Sequence, residues 1–175
     1  MALLDIITAP DPRLKIVCRP VSAVDDDVRR LMSDMLETMY AAPGIGLSAP
    51  QVGDSRRVLV VDVSRDGEAR QPFQMADPKI LEAARKLVVN EEGCLSFPDQ
   101  YSEVSRPEWV RISYLDDLGQ AREVTADGLL AVCLQHEIDH LDGTLFVDHL
   151  TLLKRGMILR KMKKSKRLQI QEPVD

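Results

Sequence analysis

The chain has 175 residues, 45% hydrophobic and 29% charged, with a formal net charge of −5. That length and balance fit one globular domain with a sizeable core and exclude a disordered chain. Its N-terminus carries Asp5 and no basic region, its apolar runs are short and its cysteines number three. A signal peptide, a bilayer-spanning stretch of ~20 residues and a disulfide framework are therefore not expected, and a reducing cytoplasm is.

In chain order, residues 25–40 predict an amphipathic helix. Its apolar positions Val28, Leu31, Met32, Met35, Leu36, Met39 and Tyr40 recur in steps of three and one. Asp25, Asp26 and Asp27 suit the positive end of such a helix, and Pro43 to Gly46 end it. Residues 57–63 are a β-branched run that reads as a strand, and 73–80 and 87–89 are weaker strands. Residues 109–115 alternate, with Val110, Ile112 and Tyr114 on one face. A turn at Asp117, Leu118 and Gly119 then returns the chain as a strand over 122–125. Asp127 is a candidate N-cap for a helix whose opening run, residues 128–134, is apolar on every face, as a helix threaded through a core would be. Gly143 is a candidate stop. A last helix spans about residues 151–167, followed by a short flexible tail. Eight of the 23 basic residues lie between Lys154 and Arg167 with no acid among them. The expected architecture is one α+β domain over residues 1–175. Antiparallel sheets pack around a central metal-binding helix, with an N-terminal amphipathic helix and a basic C-terminal one.

The central helix carries His136-Glu137-Ile138-Asp139-His140. Positions four apart share a helix face, so both imidazoles can reach one metal ion, and the intervening glutamate can take a proton from metal-bound water. Catalytic sites of this kind usually hold a third protein ligand. An H-E-x-x-H-x-x-G-x-x-H pattern fails here, because the final position is Phe146 and His149 comes three residues late. The only glutamate downstream is Glu172. An upstream ligand is the better prospect, and Cys18, Cys94 and Cys133 are the soft candidates. Cys133 shares the histidine face but sits roughly 7 Å along the axis from a metal at the level of residue 138, at 1.5 Å per residue. It reads as a pocket wall. Cys18 reads as structural. Cys94 lies between Gly93 and Leu95, a context that by itself also describes a buried core residue.

Three segments together resemble one family. Gly44-Ile45-Gly46-Leu47-Ser48-Ala49-Pro50-Gln51, Glu92-Gly93-Cys94-Leu95-Ser96 and the histidine motif follow the order and spacing of peptide deformylase. That family's metal hydrolase removes the formyl group from nascent bacterial proteins. The resemblance runs to about residue 165. It implies Cys94, His136 and His140 as ligands of one divalent ion, natively Fe(II), with zinc, nickel or cobalt able to substitute. It implies that Glu137 serves as general base and then acid for a metal-bound water. Gln51 and the backbone N–H of Leu95 would stabilise the oxyanion, with Gly46 shaping the neighbouring loop. Ile45, Leu129, Val132 and Cys133 would line a slot for the methionine side chain.

Two positions depart from the family's usual pattern. Ser48 replaces an alanine, a small-for-small change expected to matter little. Tyr101 stands where many relatives carry an arginine that contacts the peptide backbone. Asp139 is expected to pair outside the ligand shell, and Glu92 with Arg106 to hold the second motif. The implied partners are nascent formyl-Met peptides and, through the basic C-terminal helix, the RNA-rich ribosome. No membrane partner is implied. On that helix Leu152, Leu153, Met157, Ile158 and Met162 offer an apolar side. Two rival readings share the histidine motif: a peptidase for internal peptide bonds, and an RNA-binding module with a structural metal site closed by Cys133.

Overall fold

A computed structural model describes residues 2–65 and 67–171. Helix α1 spans Asp26–Ala41, and the Asp25 carboxylate accepts the Val28 N–H at 2.9 Å, a side-chain N-cap. Strands β1 (Gly46–Ser48), β2 (Val58–Val61), β3 (Phe73–Ala83), β4 (Leu87–Cys94), β5 (Phe97–Pro107), β6 (Trp109–Leu115) and β7 (Ala121–Asp127) precede helix α2 (Gly128–Leu141) and helix α3 (Leu152–Gln171). Short 3-10 turns occupy Pro12–Lys15, Ala49–Val52 and Phe146–His149. Five strands form an antiparallel sheet in the order β1-β2-β3-β6-β7, and β4 with β5 form a separate two-stranded ribbon.

The unbroken apolar run of β2 has a tertiary cause. Val58 and Val60 pack under α1 with Met32, Met35 and Met39, whereas Leu59 and Val61 face α2 with Leu134, Ile138 and Leu141. A strand covered on both faces needs no polar alternation. Helix α2 is buried without interruption from Ala131 to Ile138 and again at His140 and Leu141. It ends where Gly143 takes a φ of +73°, with the Lys15 carbonyl only 2.6 Å from any Cβ that could be placed there. Only glycine meets both conditions. A third cluster joins Phe97 and Val104 of β5 to Leu14, Phe146, Ile158 and Met162.

Three features differ from the sequence expectations. Strand β5 was not foreseen. Only Phe97, Val104 and Arg106 of its residues are buried, so it lacks an apolar pattern. Asp127 precedes α2, but its side chain makes no capping hydrogen bond. Helix α3 runs to Gln171 and docks through Ile158 and Met162, while Leu152, Leu153 and Met157 face solvent. The expected apolar side is thus split between two faces. The tail expected after this helix lies outside the described residues. No helix is long and apolar enough to cross a membrane among the described residues.

Candidate metal centre

Helix geometry and the β4–β5 turn build the site together. His136 and His140 lie one turn apart on α2, with ring centroids 5.0 Å apart. Cys94 ends β4, and its Sγ lies 3.2 Å from His140 Nε2. One ligand atom from each of these three residues falls within 4.8 Å of the others, the spread that a single ion with bonds of ~2.0–2.3 Å can gather. Cys133 is outside this group. Its Sγ points to the Ile45 carbonyl at 3.5 Å, and burial, followed by the charges of Glu137 and Glu92, pushes its thiol well up. It is a neutral wall residue.

The ring of His136 is aimed by a carboxylate. His136 Nδ1 lies 2.9 Å from Glu92 Oε2, and since an ionised carboxylate only accepts, Nδ1 carries the hydrogen and leaves Nε2 as donor to a metal. Glu92 is in turn held by Arg106, whose Nε and Nη2 reach its two oxygens at 2.5 and 3.0 Å. Burial opposes ionisation of Glu92, yet the hydrogen bonds of His136 and Arg106 outweigh it and hold the carboxyl at about 2. Phe146 stacks near the His136 ring at 6.1 Å between centroids. Phe146, which could not serve as a third ligand, therefore packs against one of the two candidate histidines. Burial, then the charges of His136 and Arg106, lower the pKa of His140 and favour the neutral imidazole that a metal could bind. For His136 burial acts the same way, but the hydrogen bonds of Cys94 and Glu92 reverse the direction and raise it. Cation binding competes with that proton.

Glu137 is fully surrounded. A Cβ on Gly46 would lie 2.5 Å from Glu137 Oε1 and 2.8 Å from Cys133 Sγ, so only glycine lets β1 approach α2 this closely. The Ser48 hydroxyl lies 2.6 Å from Glu137 Oε2 and 2.9 Å from the Glu137 carbonyl. Burial pushes the Glu137 carboxyl up, partly offset by His136 and by the Ser48 hydrogen bond. Ser48 thus contacts Glu137 directly, and its departure from alanine is the signal the sequence offers for that contact. Gln51 is also buried. Its Oε1 accepts the Ser48 N–H at 2.8 Å, while its Nε2 donates to Ser96 Oγ at 3.1 Å and lies 3.6 Å from Cys94 Sγ. The residue both caps its own loop and presents an amide beside the cysteine.

A cavity of about 410 Å³ opens over these groups. Its lining includes Ile45, Gly46, Leu95, Leu129, Val132 and Cys133 with His136 and Glu137, and Tyr101 stands at its rim, 65% exposed. A family model for polypeptide deformylase matches residues 3–156. The chain belongs to that family. The deformylase of Methylocella silvestris is 57% identical over 99% of this chain and 90% of its own length. That of Phenylobacterium zucineum is 53% identical over 94% of this chain and 97% of its own length. Among solved structures, peptide deformylase from Ehrlichia chaffeensis superposes with a TM-score of 0.92 at 39% identity, covering 97% of this chain and 99% of that one. The same organism's deformylase in complex with actinonin gives 0.91 at 42% identity, covering 95% and 99%. Membership establishes the reaction as metal-dependent hydrolysis that removes the N-terminal formyl group from nascent chains. The peptidase and RNA-binding readings fall away.

Proposed function

We propose that Cys94, His136 and His140 hold the divalent cation of this deformylase and that Glu137 carries the proton of the reaction. The convergence of the three ligand atoms within 4.8 Å supports this reading most directly. One thiolate with two neutral imidazoles suits several borderline ions, and we take Fe(II) as the native one, with zinc, nickel or cobalt as substitutes. Bound there, such a cation supplies Lewis acidity, which acidifies water and polarises a carbonyl. The remaining work falls to the chain. Glu137 takes the proton of the attacking water on its carboxylate as hydroxide adds to the formyl carbon. It returns that proton to the amine as the carbon–nitrogen bond breaks, leaving formate and a free N-terminus.

Ser48 serves Glu137 in both protonation states. Its hydroxyl donates to Oε2 when the carboxylate is ionised. When the carboxyl is protonated, the hydroxyl can turn to the Glu137 carbonyl and accept from the acid. Both contacts lie within hydrogen-bond distance. The Gln51 amide and the Leu95 N–H are the donors for the developing oxyanion, beside Gly46. Ile45, Leu129, Val132 and Cys133 form the apolar slot for the methionine side chain.

The cytoplasm, where nascent chains emerge, is the proposed compartment, and the ribosome the proposed partner of α3. Lys154, Arg160, Lys161, Lys163, Lys164 and Arg167 are exposed on this helix, and none forms an ion pair among the described residues. Neutralising these six should weaken ribosome binding and flatten its salt dependence, as fewer released counterions require. Deformylation of short peptides should persist. The site itself is tested by assaying anaerobically purified protein on formyl-Met-Ala-Ser against the acetylated peptide, with metal content measured. Release of formate in proportion to bound metal is expected. Activity independent of metal would overturn the assignment.

A further inference from the structure

His149 takes no part in the site described above, yet it closes a chain of contacts that ends there. Its Nε2 lies 2.7 Å from Asp139 Oδ2, and Arg106 Nη1 reaches the same oxygen at 2.8 Å. Arg106 then grips Glu92 through two nitrogens, and Glu92 fixes Nδ1 of His136. We propose that His149 is a positioning residue for the metal centre, acting through Asp139, Arg106 and Glu92 on the orientation of His136. This rests on the reading of His136 as a ligand.

The gradient of burial along the chain gives His149 its leverage. The side chains of Glu92 and Arg106 are 3% and 5% exposed, that of Asp139 is 25% exposed, and that of His149 is 35% exposed. Arg106 is a buried cation balanced by two carboxylates. Only the Asp139 carboxylate can turn to water, because only its surroundings admit it. Asp139 accepts and cannot donate, so His149 contributes an Nε2–H that occupies the water-facing side of the carboxylate and keeps Oδ2 on the guanidinium. Without that donor Asp139 gains freedom, Arg106 loses a fixed partner, and the fork holding Glu92 slackens. Partners of metal-bound histidines influence metal retention through this kind of orientation.

The test uses full-length His149→Phe, which keeps a ring but has no donor, and His149→Gln, which restores an amide donor. Zinc loss to a chromophoric chelator and the visible spectrum of the cobalt(II)-loaded protein are the readouts, with the thermal midpoint as a control. Binding of one cobalt ion by the unaltered chain, and its loss in Cys94→Ala, tests the ligand reading separately. The expected result is zinc loss about three- to tenfold faster in His149→Phe, a smaller effect than the 10–100-fold typical of a direct partner. An altered cobalt spectrum and substantial recovery in His149→Gln should accompany it. Equal zinc loss in His149→Phe and the unaltered chain would overturn the proposal. So would a His149→Gln protein that is no better than His149→Phe.

Discussion

Helices α2 and α3 both carry apolar residues, yet the fold uses them in opposite ways. Ten residues of α2 are buried, and four of its polar side chains are held by strands β1, β4 and β5. Gln135 donates to the Pro107 carbonyl, His136 meets Glu92, Glu137 meets Ser48, and Asp139 meets Arg106. In α3 only Ile158 and Met162 are buried among the described side chains, and Leu152 and Leu153 are left 86% and 71% exposed. The difference lies in what surrounds each helix. The sheet, the β4–β5 ribbon and the 3-10 turn at Ala49–Val52 pack around α2, whereas α3 meets the turn at Phe146–His149 and the cluster beneath β5 on one side only. Burial penalises an unpaired polar group, so most of those on α2 are fixed by a partner. Exposure leaves charges free to meet something else.

That contrast can be broken at its strongest point first. Cys94→Ala should abolish tight metal binding and with it activity, since two imidazoles alone leave the shell incomplete. Metal analysis after dialysis reads this directly. Glu137→Ala should retain one ion per chain while kcat falls by about 10²–10⁴. Loss of metal together with activity would instead make Glu137 a ligand or a structural group.

Arg106→Leu strips the buried Glu92 of its counterion and should cost about 3–5 kcal/mol of stability, read as a lower denaturant midpoint. Ser48→Ala removes a hydroxyl but no bulk. It should lower kcat about tenfold with metal content unchanged, the equivalent of one hydrogen bond to a charged group. On α3 the expectation nearly vanishes. Leu153→Ala should change stability by no more than about 0.5 kcal/mol, as for an exposed site with no cap or partner. A larger loss there would mean that α3 is packed more like α2 than its exposure indicates.

Much of α2 and its neighbours is legible in the sequence. The helix over residues 25–40 and the alternating strand over 109–115 rest on periodicities that local sequence carries, and the helix bearing the histidine motif rests on an unbroken apolar run between a candidate cap and a glycine stop. The observed bounds Asp26–Ala41, Trp109–Leu115 and Gly128–Leu141 follow them closely. The two histidines and Glu137 were legible for the same reason, since spacing along one helix sets a face. Strand β5 was not legible, because a ribbon wet on one side gives no apolar signal. Neither was the split of α3 into a docked and an open face. Apolar spacing names a stripe but not the surface available to cover it.

By itself the sequence determined the periodic elements, the pair of helical histidines and, through three motifs in order, the family. Those are short-range facts, carried by residues a few positions apart or by motif identity. Only the tertiary structure decided the rest: that Gln51 donates to Ser96 beside Cys94, and that Ser48 touches Glu137 from 89 residues away in the chain. The path from His149 to His136 likewise crosses three elements distant in sequence. Such contacts depend on which surfaces meet when β1, the β4–β5 ribbon and α2 close around one another, and no local pattern encodes that meeting.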